Sequence, residues 1–598
     1  MCGIIGYTGT DRGAIDVLMN GLSSLEYRGY DSAGVAVADS SLAVFKREGE
    51  VSALETAIPD DDIGGTAGIG HTRWSTHGPP SDTNAHPHTD CTGDVAVVHN
   101  GIIENYRTLQ SELEADGHTF NSDTDTEVVP HLIETALAEG ATREEAFRQA
   151  VQRLEGSYAV AAVFEGDETV YAARNESPLV LGLGDDGYYL ASDVPAFIEY
   201  TDRVVYLEDG QFARVNPSGI VVTDEQGAIV ETAVETISWD PEDAGKSGYD
   251  HYMLKEIHEQ PTAIRKCLRE RVTEMEGSIT VSELADLERQ GPVQFVACGT
   301  SYHAALYGAR LLREQGVPAQ CYLASEYDVE SLPVGNETLV VGVTQSGETA
   351  DTMRALRAAN RVGASTLALT NVVGSSAARE CDHVMYIRAG PEIGVAATKT
   401  FASQQVALAM LSQVLSPDRT PETDFIKRLR TLPDRIQRIL DESNAQAIAE
   451  TYVDADAYFF IGRGYNTPVA LEGALKMKEI TYKHAEGFAA GELKHGPLAL
   501  VTEATPVFAI VTGESNAART IGNIKEVEAR GAPVVAVTDS PSDVDQYADH
   551  ILEVPSSGPR CTPILSNIQL QLVSYWVANQ LGRSIDKPRN LAKSVTVE

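Results

Sequence analysis

The strongest constraint on this sequence is an internal repeat in its second half. The segment Phe295–Ser301 (FVACGTS) resembles Phe459–Tyr465 (FFIGRGY), and each segment begins an alternation of apolar runs and helical patterns. In the first copy we predict strands over 292–298, 338–343 and 365–369, with helices over 302–314 and 350–361 between them. This βαβαβ order predicts parallel strands joined by right-handed crossovers. The repeat therefore predicts two doubly wound α/β domains.

The first 235 residues have a different rhythm, because short β-type runs recur with Gly, Asp and Asn between them. Helical patterns interrupt these runs near residues 14–25 and 126–138. This predicts an α+β domain with mostly antiparallel strands. A polar stretch, Asp240–Gly248, is typical of a linker. The expected organisation is an N-terminal domain over 2–235, a linker over 236–250, α/β domains over 251–435 and 436–580, and a C-terminal tail over 581–598.

Composition disfavours several classes of protein. The formal charge is −41, with 87 acidic and 46 basic residues, so the surface repels nucleic acid and anionic membranes. The acids are dispersed, which predicts adaptation to high salt, with acidity for solubility as the alternative. We find no apolar run of about 18 residues and no signal peptide, so a cytoplasmic location is expected. Seven scattered cysteines without CxxC spacing argue against a structural zinc site or a disulfide scaffold.

Cys2 follows the initiator methionine directly. Removal of Met1 would expose a residue that carries both a thiol and an α-amine. An α-amine has a pKa of roughly 7.7–8.0, so part of it is neutral near neutral pH and can accept a proton. This is the arrangement of an N-terminal nucleophile. The alternative is an ordinary buried cysteine at the start of a strand.

Four stretches of the first half are polar or glycine-rich where a strand core should be apolar. They are Glu26–Gly34, His71–Gly78, His99–Asn105 and Thr124–Glu127. Together with Cys-Gly-Ile at the mature terminus, they resemble the class II glutamine amidotransferases. The resemblance implies an N-terminal nucleophile hydrolase fold with αββα layers.

The same resemblance implies roles for single residues in the first domain. Cys2 would attack the glutamine carboxamide, and Asn100 and Gly101 would stabilise the oxyanion. The residues implied in glutamine binding are Arg73, Asp125, Trp74, Thr76 and His77, and Trp74 would also gate an ammonia passage. Taken alone, Asn100-Gly101 is a hairpin-turn signal. His86 and His88 invite a metal interpretation, which we disfavour because we see no Cys or carboxylate cluster near them in the sequence.

The segment Thr344–Thr349 lies between a predicted strand and a predicted helix. Open α/β sheets bind ligands at this end of a strand, and hydroxyls beside helix N–H groups suit a phosphate. The alternative is helix capping by Ser346 or Thr349. The segment resembles the phosphate loop of sugar isomerase (SIS) domains, which implies phosphate contacts from Ser301, Thr344, Gln345, Ser346 and Thr349. The matching turn of the second copy, Val511–Ser515, has fewer hydroxyls, so we expect only the first copy to bind phosphate.

The second copy contains a predicted helix on which Glu472, Lys476 and Glu479 share one face. A solvated ion pair is the simple interpretation. The segment that follows, His484–Pro497, is too polar for a core and too rich in Gly and Ala for a regular helix, and it resembles the sugar-binding loop of the family. The resemblance implies that Glu479 moves a proton between C1 and C2 and that Glu472 and Lys476 support it. It also implies that His495 helps to open the ring, and that Lys593 aids opening or forms an imine.

Across nearly the whole length, the chain resembles the isomerising aminotransferases that use glutamine and fructose 6-phosphate to make glucosamine 6-phosphate. The resemblance implies no cofactor, no metal, no nucleic-acid or membrane partner, and a homodimer. Three alternatives remain open. The acceptor could be a diphosphosugar, although the acidic loop that this needs is missing. It could be another keto sugar, or the reaction could run as a deglycase. The SIS domains could also act as a non-enzymatic sugar phosphate sensor.

Overall fold

The computed structural model describes residues 2–10, 12–59, 63–237, 245–272, 278–417 and 422–595. The acidic run 60–62, residues 238–244 of the predicted linker and the last three residues of the tail lie outside the described residues. The chain divides into two compact units, residues 1–244 with 592–598, and residues 245–591. The predicted domain boundaries remain predictions at the level of single residues.

The first unit contains two antiparallel sheets, in the strand orders β14-β11-β9-β10-β1-β4-β2-β3 and β13-β12-β8-β7-β6-β5. The strands are β1 (Gly3–Gly9), β2 (Ser32–Ala38), β3 (Leu42–Glu48), β4 (Ala67–Arg73), β5 (His88–Thr89), β6 (Val95–Ile103), β7 (Gly156–Phe164), β8 (Val170–Asn175), β9 (Val180–Leu183), β10 (Gly187–Ala191), β11 (Arg203–Tyr206), β12 (Phe212–Asn216), β13 (Gly219–Thr223) and β14 (Glu235–Thr236).

The helices of this unit cover the outer faces of the two sheets. They are α1 (Ala14–Leu25), α2 (Val51–Glu55), α3 (Tyr106–Ala115), α4 (Val128–Ala138) and α5 (Arg143–Val151). One apolar cluster joins α1 and α2 to the eight-stranded sheet, and another joins α3, α4 and α5 to the six-stranded sheet. A third cluster packs the inner faces of both sheets together. The layers are therefore helix, sheet, sheet, helix, as predicted.

The register of β1 positions the start of the chain. β1 pairs with β4 so that Gly3 faces Thr72, and both strands are fully buried. A Cβ on Gly3 would lie 2.5 Å from the Thr72 hydroxyl, so only glycine allows this approach. Cys2 consequently lies beside the end of β4, where the polar stretch after His71 begins.

The second unit contains two parallel sheets of equal design, in the orders β16-β15-β17-β18-β19 and β21-β20-β22-β23-β24. The strands are β15 (Val293–Ala297), β16 (Ala319–Leu323), β17 (Leu339–Val343), β18 (Ser365–Thr370), β19 (His383–Tyr386), β20 (Ala457–Gly462), β21 (His484–Ala489), β22 (Val507–Val511), β23 (Val534–Thr538) and β24 (His550–Glu553). The matching order confirms the predicted repeat of a doubly wound α/β fold.

Helices lie around these sheets, and one apolar core continues through both copies. They are α6 (Tyr252–Leu268), α7 (Gly299–Glu314), α8 (Ala350–Arg361), α9 (Ser376–Glu380), α10 (Lys399–Val414), α11 (Thr423–Arg430), α12 (Leu432–Glu442), α13 (Ala445–Tyr452), α14 (Asn466–Thr481), α15 (Glu514–Glu528) and α16 (Gly558–Gln580). Among the described residues, no helix is both long and apolar enough to cross a bilayer.

One local prediction was partly wrong. The segment after α14 was expected to be irregular, but its first six residues form the edge strand β21, which pairs in parallel with β20. An edge strand can carry polar and glycine residues because one of its sides has no neighbouring strand. The rest of the segment, Ala490–His495, forms a 3-10 helix.

Candidate active sites

Cys2 lies among donors from three parts of the first unit. The Trp74 backbone N–H donates to Cys2 Sγ at 3.2 Å. The Cys2 carbonyl accepts hydrogen bonds from Asn100 Nδ2 at 3.0 Å and from Arg28 Nε at 3.3 Å. Residues far apart in sequence therefore hold the predicted nucleophile, and the thiol is only partly covered.

The side-chain amide of Asn100 is oriented by a buried histidine. His71 Nε2 lies 3.0 Å from the carbonyl oxygen of His99 and 3.1 Å from Asn100 Oδ1. Burial, together with the charge of Arg73, lowers the pKa of His71 to about 3, so its ring is neutral at ordinary pH. Because a carbonyl only accepts hydrogen bonds, Nε2 carries the proton and also donates to Oδ1. The Asn100 NH₂ group is thereby directed toward Cys2.

Gly101 adopts a backbone conformation that glycine alone takes readily. It lies inside β6 with φ +128°, and a Cβ there would be 2.0 Å from the carbonyl oxygen of Ser157. The hairpin-turn interpretation of Asn100-Gly101 is therefore wrong, because both residues pair with β7 inside the sheet. The roles of Asn100 and Gly101 in oxyanion stabilisation stay a prediction.

Arg73 is the last residue of β4 and is buried. Its guanidinium donates to three successive backbone carbonyls, those of His77, Gly78 (3.1 Å) and Pro79 (3.5 Å). In this structure the guanidinium therefore organises the loop after β4. Its predicted contact with a glutamine carboxylate remains a prediction.

Asp125 is buried before α4, and its carboxylate accepts the Ile103 N–H at 2.8 Å. This bond fixes the carboxylate beside the end of β6, the strand that carries Asn100. Trp74 packs edge-on against Tyr30 with the ring centroids 5.5 Å apart. Thr76 is exposed in the loop after β4. Of these residues, Trp74 contacts Cys2 directly, and Asp125 is fixed at the end of the strand that carries Asn100.

Sequence reasoning gave Arg28 no role, although it lies in a polar stretch that was singled out. Arg28 is buried and forms an ion pair with Asp193 at 2.8 Å, and Tyr27 donates to the same carboxylate oxygen at 2.6 Å. Since Arg28 also contacts the Cys2 carbonyl, this group supports the nucleophile. In the sequence, Arg28 could have been recognised as a charged residue within a polar stretch, whereas no pattern pointed to Asp193.

The predicted phosphate loop follows β17 and leads into α8. The Thr344 hydroxyl accepts the Gly347 N–H at 3.2 Å and lies 3.3 Å from the hydroxyl of Thr349. Thr349 is the N-cap residue of α8, yet its side chain makes no capping hydrogen bond. Ser346 Oγ accepts the Glu348 N–H at 3.1 Å. Capping by Thr349 is therefore wrong, and its hydroxyl lies where a helix N-terminus favours anions.

Ser375 and Ser301 supply the two further hydroxyls of this region. Gly347 has φ +71°, and a Cβ on it would lie 2.1 Å from Ser375 Oγ. Ser375 Oγ is buried, with no hydrogen-bond partner among the described residues. Ser301, in the first turn of α7, accepts a hydrogen bond from Gln404 Nε2 at 2.9 Å. Gln345 contributes its backbone carbonyl to Asn371 N–H at 3.1 Å.

The predicted acid–base residues form a buried cluster on α14. Lys476 Nζ lies 2.6 Å from Glu479 Oε2 and 3.3 Å from Glu472 Oε1. Two residues of α7 complete the cluster: His303 Nδ1 lies 2.8 Å from Glu472 Oε2, and Thr300 Oγ1 donates to Glu472 Oε1 at 2.9 Å. The solvated ion-pair interpretation is therefore wrong, since Glu472 and Lys476 are fully buried.

The surroundings of the two carboxylates in this cluster shift their pKa values in opposite directions. Burial alone raises the pKa of Glu472, but Lys476 and the hydrogen bonds from His303 and Thr300 outweigh it and hold that pKa below its ordinary value. Burial raises the pKa of Glu479, and Lys476 offsets this only in part. Carboxylates whose pKa values are pushed apart are typical of acid–base sites. Sequence reasoning did not assign His303 a role, although it shares a helix face with Thr300.

Two predicted residues, His495 and Lys593, lie outside the helix that carries this cluster. His495 ends the 3-10 helix and is exposed, with no hydrogen bond to the cluster among the described residues. Lys593 is half-buried in the segment 592–595, which groups with the first unit. The roles of both residues stay predictions. The rings of His86 and His88 meet edge to face with their centroids 4.7 Å apart, and burial keeps the pKa of both low.

Comparison with known proteins agrees with this geometry. The family model of the SIS domain matches residues 286–413 and 451–579, and that of the glutamine amidotransferase domain matches residues 71–199. The solved C-terminal domain of glucosamine-fructose-6-phosphate aminotransferase from Francisella tularensis is 35% identical, with a TM-score of 0.53, and the match covers 57% of this chain and 99% of that one.

Full-length relatives give the same result. Two proteins named glutamine–fructose-6-phosphate aminotransferase [isomerizing], from Halobacterium salinarum and Methanothermobacter thermautotrophicus, are 52% and 48% identical to this chain. Both matches cover 100% of this chain and 100% of the relative. The predicted fold class and the predicted enzyme class are confirmed. The chain therefore belongs to the family of isomerizing glutamine–fructose-6-phosphate aminotransferases.

Proposed function

We propose that this enzyme releases ammonia from glutamine at Cys2 and adds it to fructose 6-phosphate in the second unit, yielding glucosamine 6-phosphate and glutamate. The main supporting observation is that a chain matching named aminotransferases over its full length retains both half-sites. The first is the thiol beside Asn100, and the second is the buried cluster of Glu472, Lys476 and Glu479.

The first reaction uses the groups around Cys2. After removal of Met1, the Cys2 α-amine takes the thiol proton and Sγ attacks the glutamine carboxamide. The NH₂ group of Asn100 and the Gly101 N–H stabilise the oxyanion. His71 holds the side-chain amide of Asn100 so that its NH₂ group is directed toward Cys2. Ammonia leaves with the transferred proton, a thioester remains on Sγ, and water releases glutamate.

Arg73 and Asp125 supply the charges that recognise the two ends of a free amino acid. The guanidinium pairs with the α-carboxylate, for which a planar fork is the best match. The Asp125 carboxylate holds the α-ammonium. His77 and Thr76 belong to the loop that Arg73 organises. Trp74, next to the thiol, controls where ammonia leaves.

The second reaction uses the loop after β17 and the cluster on α14. Ser301, Thr344, Gln345, Ser346 and Thr349 hold the sugar phosphate. Ammonia adds to C2 of the opened ketose and water leaves, which gives an imine. Glu479 then takes a proton from C1 and returns it to C2, so that the aldose amine forms.

Supporting groups keep Glu479 and the ring-opened sugar in place. Lys476 contacts both Glu472 and Glu479, so it fixes the base and its partner on one helix face. His495 and Lys593 assist ring opening, and Lys593 is the amine available for an imine with the ketose carbonyl. The fold needs no cofactor for these steps. A homodimer and a cytoplasmic location belong to the same proposal.

The decisive experiment separates the two half-reactions. Cys2→Ala is expected to abolish glutamine-dependent glucosamine 6-phosphate synthesis and glutaminase activity in purified protein at high salt. Interconversion of fructose 6-phosphate and glucose 6-phosphate is expected to persist, because the second site contains none of the altered groups. Product formation is followed by mass spectrometry.

Cys381→Ala is the matched control, because this half-buried cysteine belongs to the second unit. It should leave both activities intact. The proposal fails if folded wild-type protein makes no glucosamine 6-phosphate from glutamine. It also fails if Cys2→Ala still makes that product from glutamine at the wild-type rate.

A further inference from the structure

We propose that Cys91, His118, His131 and Glu134 bind a zinc ion in the first unit. The four residues come from three separate segments, namely the loop between β5 and β6, the chain after α3, and helix α4. One ligand atom from each lies within 4.8 Å of those of all the others. The site is distinct from the groups around Cys2; metal binding does not depend on the proposed function, whereas the effect on glutamine binding argued below rests on it.

The distances within the cluster match the edges of a tetrahedral zinc site. Cys91 Sγ lies 3.6 Å from His118 Nδ1 and 3.6 Å from His131 Nδ1. Glu134 Oε2 lies 3.0 Å from His118 Nδ1 and 3.3 Å from His131 Nδ1. Bonds of about 2.0–2.3 Å to zinc imply ligand separations of roughly 3.3–3.7 Å around a tetrahedron. Around a zinc ion the 3.0 Å separation would widen slightly, and the other two pairs of ligand atoms, which lie within 4.8 Å, would take similar edge lengths.

One of the two outer ring nitrogens, that of His118, has the partner that a metal-bound histidine needs. His118 Nε2 lies 3.0 Å from Thr135 Oγ1, and that hydroxyl in turn donates to the His131 carbonyl at 3.0 Å. His131 Nε2 is buried and 4.0 Å from a carboxylate oxygen of Glu127, with no closer hydrogen-bond partner among the described residues. With both protons on Nε2, both Nδ1 lone pairs face the centre of the cluster.

The donor set selects the metal. One thiolate and two imidazoles favour zinc over magnesium or calcium, which prefer oxygen ligands. Four protein ligands fill a tetrahedron, so the site is structural and leaves no position for a catalytic water. Sequence reasoning argued against structural zinc because it looked for paired cysteines. Here one cysteine combines with residues that only the fold brings together.

The position of the site indicates what the metal would hold in place. It ties the loop that carries Cys91 and the chain after α3 to helix α4. The chain between His118 and α4 includes Asp125, whose carboxylate accepts the Ile103 N–H at 2.8 Å. Zinc would therefore fix the segment on which the proposed contact to the glutamine ammonium depends. Loss of the metal should weaken glutamine binding more than it slows the chemical step.

The first test measures metal in the full-length protein. Protein purified from zinc-supplemented cells should contain about one zinc per chain by elemental mass spectrometry. Cys91→Ser should lose most of it, whereas Cys381→Ser, the matched thiol control, should retain it. In metal-free protein, Co²⁺ should give thiolate charge-transfer bands that Cys91→Ser abolishes. Circular dichroism checks that each variant is folded.

The second test alters only the outer partners. Thr135→Val removes the hydroxyl that orients His118 and should weaken zinc affinity by about 10–100-fold while the ligands remain. Zinc removal should raise KM for glutamine with little change in sugar isomerisation. Wild-type protein that contains no more zinc than Cys91→Ser, or a Co²⁺ spectrum that this substitution leaves unchanged, would overturn the proposal.

Discussion

At the scale of single residues, His71 shows how a buried neutral ring fixes the orientation of a neighbouring amide, that of Asn100. Its Nε2–H donates to both the His99 carbonyl oxygen and Asn100 Oδ1, which lie 3.0 and 3.1 Å from Nε2. Asn100 consequently presents its NH₂ group to Cys2 before any substrate binds. A donor fixed in advance needs no reorganisation when negative charge develops.

Asn100→Ala is expected to lower kcat for glutamine hydrolysis by about 10²–10³-fold, because one oxyanion donor is lost. KM for glutamine should change little. A coupled glutamate assay measures both constants. Asn105→Ala is the matched control, since the side-chain hydrogen bonds described for Asn105 go to backbone groups of Arg153 and Glu155. Equal losses in the two variants would argue against a specific role for Asn100.

The pKa of Glu479 gives a second prediction at this scale. A general base acts as the carboxylate, so the isomerisation rate should fall as pH drops through its raised pKa. The acid limb should therefore lie above the ordinary range of a glutamate, about 4.3. Lys476→Met removes the cation that offsets this rise, and so the limb should move to still higher pH.

A pH–rate profile of fructose 6-phosphate isomerisation measures this shift. Lys478→Met is the control, because Lys478 is exposed on the same helix. It should leave the acid limb where it is. A limb that moves to lower pH in Lys476→Met would contradict the assignment of Glu479 as the base.

At the scale of elements, the turn between β17 and α8 depends on one glycine. Gly347 combines a left-handed φ of +71° with a Cβ position only 2.1 Å from Ser375 Oγ. Gly347→Ala should therefore displace the loop and raise KM for fructose 6-phosphate. Glutaminase activity, which belongs to the other unit, should be unchanged. Steady-state kinetics with each substrate separates the two effects.

Gly363 offers the control for this substitution. It has φ +83°, but a Cβ there would meet nothing within 4 Å. Both alanine variants should lose about 1–2 kcal/mol of unfolding free energy from the left-handed backbone. Only Gly347→Ala should change sugar affinity. If both variants raise KM alike, the close approach to Ser375 has no role in binding.

The elements also show where sequence reasoning succeeds. Helices α1 and α8 were predicted with their observed bounds, because each carries a regular apolar stripe. The predicted phosphate loop does lie between a strand and a helix, because strand, hydroxyls and helix are consecutive in sequence. The edge strand β21 was not predicted, because it lacks the apolar pattern by which buried strands are recognised. Its pairing with β20 holds it in place instead. Helices α3 and α5 were missed as well, because both are polar and find their apolar contacts only in the folded unit.

The sites follow the same rule. Cys2, Asn100 and Arg73 lie in polar runs that interrupt strands, so the sequence marks them. His303 and the cluster around Cys91 depend on contacts between distant segments, so no spacing reveals them. A sequence pattern predicts a site when the residues of that site are neighbours in sequence. It fails when only tertiary packing brings those residues together.

At the scale of the whole molecule, the charge of −41 governs stability through self-repulsion. The Debye length falls from about 10 Å at 0.1 M salt to about 3 Å at 1 M, so salt should screen this repulsion. The melting temperature should therefore rise between these two KCl concentrations, as followed by circular dichroism. Sucrose at matched osmolality is the control, because it does not screen charge. A melting temperature that falls with KCl would contradict adaptation to high salt.

The bond from Thr300 to Glu472 has a consequence for the repeat as a whole. It joins the two copies of the α/β fold, since α7 belongs to one copy and α14 to the other. If the first copy holds the phosphate and the second moves the proton, as proposed, each copy needs the other, and deletion of either one should abolish isomerisation. The two copies therefore share a fold but are expected to have different tasks in the reaction.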